Sequence, residues 1–116
     1  MSPLSDLQVD VTPERTRELH DAGDVQLVDV REQYEWDAGR IAGARHIPVA
    51  ELTQQADSLD PERPVVFYCR TGARSSMATQ AFNASGFDAH NMAGGIVAWD
   101  ASGLPLEPDA GLVADH

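Results

Sequence analysis

The stretch "VVFYCRTGARSSMATQAF", from Val65 to Phe82, contains the only cysteine of the 116-residue chain. Its pattern predicts a buried strand from Val65 to Tyr68, then Cys69, then a short loop with two arginines, then a helix. A thiol at this place lies beside backbone N–H groups that have no intrahelical partner and point toward a common centre. The helix dipole and the arginines add positive potential there.

Such a loop can activate the thiol as a nucleophile. Stabilisation of the thiolate lowers the pKa of a cysteine from about 8.5 to between about 3.5 and 7.5. Arg70 and Arg74 supply fixed charge, Gly72 permits unusual backbone angles, and Ser75 and Ser76 are predicted to cap the helix. The alternative is a buried structural cysteine, which is common for lone cysteines. The two flanking arginines favour the reactive thiol.

The remaining elements must place this loop at the edge of a sheet. Thr12, followed by Pro13, predicts the start of a helix that ends at Gly23, and β-branched residues predict a strand from Val25 to Arg31. Strands and helices alternate along the chain, which favours an α/β domain with a mainly parallel sheet. Sites in such sheets form beyond the carboxyl ends of the strands, where Cys69 lies.

The other elements are predicted from shorter patterns. We expect a short helix or turn ending at Gly39, a short strand near His46 and Ile47, a helix from Pro48 to about Leu59, a strand within "FDAHNMAGG" and a final helix within "GGIVAWDASG". Residues 1–104 are predicted to form one domain. Residues 105–116 are expected to be a loosely ordered tail, because they show no periodicity.

Composition excludes several classes of partner. The net charge of −11 disfavours nucleic acid and anionic membrane surfaces. Apolar runs are too short to cross a bilayer, and no signal peptide is visible. One cysteine cannot form an internal disulfide, and it has no CxxC or clustered histidine for zinc. We therefore expect a cytoplasmic protein without a metal, and place the four histidines at the surface or in turns: His20, His46, His90 and His116.

Three ordered motifs resemble the single-domain rhodanese (sulfurtransferase) family over Leu7 to about Leu104. They are "DVREQYEWDAGRIAGARHIPV" from Asp29, "CRTGARS" from Cys69 and "GGIVAW" from Gly94. The resemblance implies a rhodanese-like three-layer α/β fold, a mainly parallel five-stranded sheet flanked by helices. It also implies that Cys69 takes up sulfane sulfur as a persulfide and passes it to a nucleophile, with no metal or organic cofactor.

The resemblance also assigns the residues around the cysteine. The loop that would bind substrate comprises Arg70, Thr71, Gly72, Ala73, Arg74 and Ser75. Asp29 and Arg31 either face substrate or form a structural ion pair; we favour structure for Asp29 and leave Arg31 open. The family often has histidine where this chain has Arg40, and we expect Arg40 to pair with Glu35 in a structural role near the site.

A cysteine phosphatase or arsenate reductase of the same fold is the nearest alternative. Such enzymes place five residues between cysteine and arginine, and the arginine grips two oxygens of a tetrahedral oxyanion. Here only four residues separate Cys69 from Arg74, and Ser75 stands where the phosphatase arginine would be. Tyr68 stands where many phosphatases have histidine. The shorter loop favours a single sulfur atom over a phosphoryl group.

As a sulfurtransferase, the protein would take sulfur from thiosulfate or a persulfide and pass it to cyanide or a thiol. Two further functions remain open beside this one. The protein could equally carry persulfide between proteins of a sulfur-relay pathway. A non-catalytic interaction module is less favoured, because rhodanese-like modules of that kind typically lack the cysteine, and Cys69 is present.

Overall fold

The computed structural model describes residues 7–108 and 113–114, which form a five-stranded sheet between two layers of helices. The strands and α-helices, in chain order, are β1 Asp10–Val11, α1 Pro13–Asp21, β2 Gln26–Asp29, α2 Gln33–Ala38, β3 Arg45–His46, α3 Leu52–Gln55, β4 Val65–Tyr68, α4 Ala73–Ala84, β5 Ala89–Met92 and α5 Gly95–Ala101. Short 3₁₀ helices, Val49–Glu51 and Ala56–Ser58, flank α3.

The sheet order is β1-β5-β4-β2-β3, and all four strand pairs are parallel. Every strand therefore ends at the same edge. Strand β4 lies in the middle of the sheet and all four of its residues are buried. The predicted α/β class is confirmed, and so is the predicted strand β4.

Two hydrophobic clusters fill the faces of the sheet because side chains alternate along each strand. Val65 and Phe67 of β4 pack with α3 and α4, whereas Val66 and Tyr68 pack on the face covered by α1 and α5. The carboxyl end of β4 is thereby fixed from both sides. Cys69 follows directly.

Helix α1 begins as the sequence predicts. The Thr12 hydroxyl accepts a hydrogen bond from the N–H of Arg15, and Pro13 occupies the first turn. The predicted helix from Pro48 to Leu59 is instead divided into two 3₁₀ turns and the four residues of α3. His90 is also a correction: it is buried on β5, and its ring nitrogens contact the Gln8 carbonyl and Asp88.

The first part of the predicted tail packs on the domain. Trp99 donates from its ring N–H to the Pro105 carbonyl, and Arg40 and Glu107 exchange two backbone hydrogen bonds. Leu104 and Leu106 contact the cluster under α1 and α5. Val113 also packs against that cluster. The loose order predicted for residues 109–112 and 115–116 concerns residues that lie outside the described part of the chain.

Candidate active site

The loop after β4 is anchored by the first turn of α5. The carbonyl of Cys69 accepts from the N–H of Ile96 at 2.9 Å, and the carbonyl of Arg70 accepts from the N–H of Val97 at 3.1 Å. These bonds satisfy two N–H groups that a helix start leaves without intrahelical partners. The motif "GGIVAW" thus holds the cysteine loop in place.

Gly95 makes this contact sterically possible. A Cβ atom at Gly95 would lie 2.4 Å from the Arg70 carbonyl oxygen and 2.6 Å from that of Cys69. Its φ of +63° is also a left-handed conformation that side chains disfavour. The glycine is therefore required by close backbone approach as well as by conformation.

Cys69 is 1% exposed, and its thiol lies among hydrogen-bond donors. The N–H of Gly72 donates to Sγ at 3.1 Å, and the Ser75 hydroxyl oxygen lies 3.4 Å from Sγ. Burial raises the pKa of Cys69. Hydrogen bonds from the Ser75 hydroxyl, when its proton turns to sulfur, and from the backbone N–H groups of Ser75, Gly72 and Arg74 outweigh burial and hold that pKa below its usual value.

Helix α4 is capped differently from the prediction. Its N-cap is Gly72, at a φ of +113°, and this residue has no side chain with which to cap the helix. Ser75 lies inside the first turn, where its hydroxyl is 2.6 Å from Asn91 Oδ1. The capping role predicted for Ser75 and Ser76 was wrong, because the helix begins at Ala73.

Arg74 braces the loop against α2. Its two terminal nitrogens bind the two carboxylate oxygens of Glu35 at 2.8 and 3.1 Å. Glu35 is fully buried, and its carboxylate also accepts the Glu32 N–H in a capping box. Burial raises the pKa of Glu35, but the bonds from Arg74 and from the Glu32 backbone outweigh it and lower that pKa.

Arg40 was predicted as the partner of Glu35, whereas the structure gives that carboxylate a bidentate pair with Arg74. The Arg40 guanidinium donates to the Trp36 carbonyl at 3.0 Å and lies 5.3 Å from the centre of the Trp36 ring. It also pairs with Glu107 at 3.8 Å. Arg40 therefore ties α2 to the segment after α5.

Asp29 and Arg31 form a fully buried ion pair. The shortest distance, from Arg31 Nη2 to Asp29 Oδ2, is 2.7 Å, and the same nitrogen donates to the Gly39 carbonyl at 2.8 Å. Neither side chain has exposed surface. This geometry supports a structural role for both residues, including Arg31, for which the sequence left two roles open.

The remaining loop residues form the outer side of the site. Thr71 and Ala73 are exposed, and Arg70 is partly exposed. The thiol thus lies below a rim formed by Arg70, Thr71 and Ala73, in which Arg70 carries a positive charge. Arg70 is the loop arginine nearest in sequence to the thiol, and Arg74 points its charge toward Glu35.

Sequence reasoning missed two polar residues of the site, Asn91 and Asp10. Asn91 is 7% exposed on β5, and its Nδ2 donates to Asp10 Oδ1 on β1 at 3.1 Å. The available signal was an amide inside the strand that precedes the glycine pair of "NMAGG". A buried polar side chain requires partners, and this one lies beside the cysteine loop.

Among the described residues, no group of three or more His, Cys, Asp or Glu side chains is placed to hold a metal ion. Within the same residues, no helix is long and apolar enough to cross a membrane.

Residues 12–102 match the family described as Rhodanese-like domain. The chain belongs to this family. It is 37% identical over 92 residues to a sulfurtransferase of Allochromatium vinosum, covering 78% of this chain and 86% of that protein. It is 41% identical over 103 residues to MoeZ of Mycobacterium tuberculosis, described as a probable adenylyltransferase/sulfurtransferase. That match covers 85% of this chain but 26% of MoeZ, and a 39% identical match covers 60% of YqhL of Bacillus subtilis.

Solved structures share the fold. The rhodanese-related protein of Thermoplasma volcanium superposes with a TM-score of 0.79 at 26% identity, covering 85% of this chain and 97% of that one. A protein of Rhodopseudomonas palustris, described as a possible tyrosine phosphatase, superposes with a TM-score of 0.75 at 29% identity, covering 84% and 83%. The fold is therefore that of the rhodanese family, and the choice between sulfur and phosphate must come from the site.

Proposed function

We propose that the protein is a cytoplasmic sulfurtransferase that moves sulfane sulfur from thiosulfate or a persulfide donor to a thiophilic acceptor through a Cys69 persulfide. The observation that carries the proposal is the cysteine loop itself. Four residues separate Cys69 from Arg74, and both terminal nitrogens of Arg74 are bound to Glu35. The relatives described as sulfurtransferases point the same way.

The loop geometry also argues against phosphate chemistry. A phosphatase arginine must present two N–H groups to the oxyanion, and those of Arg74 bind a buried carboxylate. Ser75, at the position of the phosphatase arginine, is buried and has no positive charge. The donors that face Sγ include the backbone N–H groups of Gly72, Arg74 and Ser75, which suit a persulfide anion.

The reaction proceeds in two balanced steps. The Cys69 thiolate attacks the outer sulfur of thiosulfate, a sulfur–sulfur bond forms, and the bond to the sulfonate sulfur breaks with release of sulfite. The electron pair of the broken bond leaves with sulfite, and the terminal sulfur of the persulfide keeps the negative charge that it carried in thiosulfate. Cyanide or a thiolate then attacks that terminal sulfur and returns the thiolate of Cys69. Arg70, at the rim, orients an anionic donor.

The direct test is a paired assay of the purified protein. With thiosulfate and cyanide it should form thiocyanate, and with an aryl phosphate it should release no appreciable phosphate. A Cys69→Ser variant is the matched control for both reactions. Cysteine-dependent phosphate release without thiocyanate formation would overturn the proposal.

A second candidate is a persulfide carrier in a sulfur relay, which the similarity to MoeZ favours. With a single cysteine, the persulfide cannot resolve to an internal disulfide, so its sulfur must pass to an external acceptor. A persulfide that forms with a persulfide donor but not with thiosulfate would favour the carrier.

A further inference from the structure

Four polar side chains form one hydrogen-bonded row that ends at the reactive sulfur. Asp10 Oδ1 accepts from Asn91 Nδ2 at 3.1 Å, Asn91 Oδ1 lies 2.6 Å from Ser75 Oγ, and Ser75 Oγ lies 3.4 Å from Cys69 Sγ. The row crosses from β1 through β5 to the first turn of α4. Its members belong to three different parts of the sequence, so the fold alone brings them together.

The row fixes the orientation of the Asn91 amide. A carboxylate accepts hydrogen bonds and donates none, so the group of Asn91 that faces Asp10 must be its NH₂ group. The opposite orientation would place two oxygens 3.1 Å apart without a proton between them. Asn91 therefore presents its oxygen to Ser75.

Ser75 has a single hydroxyl proton and three acceptors within reach: Asn91 Oδ1 at 2.6 Å, the Gly72 carbonyl at 3.3 Å and Cys69 Sγ at 3.4 Å. Two oxygens at 2.6 Å need a proton between them, and the amide oxygen of Asn91 has none to give. The proton of Ser75 is consequently held by Asn91.

We propose that Asn91 is a positioning residue that holds the hydroxyl proton of Ser75 away from the Cys69 sulfur, and that Asp10 keeps Asn91 in the orientation that does so. The thiolate is then stabilised mainly by the loop N–H groups, and the hydroxyl contributes only when it gives up Asn91. The inference rests on the proposed role of Cys69 as the attacking thiol.

This arrangement has a chemical use. The nucleophilicity of a thiolate falls as its pKa falls, and the best attacking thiol has a pKa near the ambient pH. A loop of N–H groups together with an unrestrained hydroxyl would lower the pKa of Cys69 further. By withholding the hydroxyl proton, Asn91 keeps the thiolate a stronger nucleophile.

The test is the pH dependence of Cys69 alkylation by iodoacetamide, followed by intact mass. It uses the only thiol and requires no sulfur transfer, so its failure is distinguishable from failure of the proposed function. Asn91→Leu, of similar volume, frees the hydroxyl to donate to the thiolate. We expect the pH midpoint of alkylation to fall by about one unit. The reason is that the freed Ser75 hydroxyl then donates to the thiolate, and hydrogen bonds to ionised groups are about twice as strong as neutral ones.

The Ser75→Ala substitution completes a double-mutant cycle. In the wild-type background it should move the midpoint little, whereas in the Asn91→Leu background it should raise the midpoint by about one unit. A midpoint that rises in Asn91→Leu would show that Asn91 instead assists donation by Ser75, and this would overturn the proposal. An unchanged midpoint would overturn it as well.

Asp10 is exposed, so Asp10→Ala, which removes the oxygen that accepts from the Asn91 amide, provides a variant that should fold even if Asn91→Leu does not. It should lower the midpoint in the wild-type background and have a smaller effect beside Asn91→Leu. Equal shifts in the two backgrounds would mean that Asp10 acts only through its charge, and would contradict its orienting role. The other charged groups at this edge are unchanged in every variant: Arg70, Arg74 with Glu35, and Asp29 with Arg31.

Discussion

At the scale of single residues, burial and hydrogen bonding have opposite effects on the pKa values of the acidic groups in the site. Cys69 is almost fully buried, which opposes ionisation, yet donors from the loop reverse that effect. Glu35 shows the same balance, since burial opposes its charge and Arg74 restores it. In both groups the lowered pKa comes from particular hydrogen-bond partners, so each partner can be tested by substitution.

The lowered pKa of Cys69 predicts a thiol that ionises, and therefore reacts, at a lower pH than the same thiol in the unfolded chain. Alkylation of the native protein should reach half of its maximal rate at a lower pH than alkylation of the same chain unfolded in denaturant. The unfolded chain is an internal control, because it contains the same single thiol without the loop donors. A native midpoint at or above the unfolded one would contradict the described loop.

Arg70 and Arg74 should differ in their effects. Arg74→Ala leaves a buried carboxylate without its bidentate partner, so we expect a loss of about 3 kcal/mol of unfolding free energy and slower transfer from every donor. Arg70→Ala should mainly weaken use of thiosulfate relative to an uncharged persulfide donor. Chemical denaturation measures the change in stability, and assays with the two donors measure the change in sulfur transfer. Equal losses in the two variants with both donors would contradict the different roles of Arg70 and Arg74.

The pair of Arg74 and Glu35 also predicts a dependence of stability on pH. The folded pKa of Glu35 is lowered, so its contribution is complete above its unfolded pKa of about 4.3. It is lost as the pH falls through the folded pKa. The Arg74→Ala variant should lose less stability than the wild type over that acidic interval, measured as the midpoint of denaturation. A parallel loss in the two proteins would contradict the assignment.

At the scale of elements, local patterns identified the parts and tertiary contacts placed the polar groups. Strand β4 and the N-cap of α1 were predictable because they depend on neighbouring residues. The pairing of Glu35 with Arg74 was not, since it joins α2 to α4 across 39 positions. Asn91 was missed for the same reason, because its partners lie on β1 and α4.

The contact of α5 with the cysteine loop predicts a sharp difference between two glycines. Gly95→Ala would drive a Cβ into the Arg70 carbonyl, so it should lose about 3 kcal/mol of unfolding free energy and most sulfur transfer. Gly103→Ala, at a similar φ of +77° but in open space, should lose about 1 kcal/mol and retain activity. Similar losses in the two variants would show that conformation alone requires Gly95.

Loop length predicts the outcome of an insertion. One residue added between Ala73 and Arg74 restores the five-residue spacing of the phosphatases, but it separates the loop donors from sulfur and shifts Arg74 from Glu35. Thiocyanate formation should fall strongly, with at most weak phosphate binding in return. The same insertion between Pro61 and Glu62, in an exposed turn, is the control and should retain transfer. Full activity of the loop insertion would refute the role of spacing.

At the scale of the whole molecule, the parallel sheet gathers the site from distant parts of the chain. Strands β1, β5, β4 and β2 all end at one edge, and each contributes a polar group there or directly after its end. The family's motifs made this fold and the cysteine predictable. The net charge indicates less about function than the topology does, because the loop motif "CRTGARS" contains none of the acidic residues that produce this charge.

The central claim is that sulfur is carried covalently on Cys69, and intact-mass analysis tests it most directly. After incubation with thiosulfate, the wild-type protein should gain the mass of one sulfur atom, and cyanide should remove that mass with formation of thiocyanate. The Cys69→Ala variant should gain nothing. A sulfur adduct that persists in Cys69→Ala, or a wild-type protein that forms thiocyanate without ever carrying the added mass, would contradict the account.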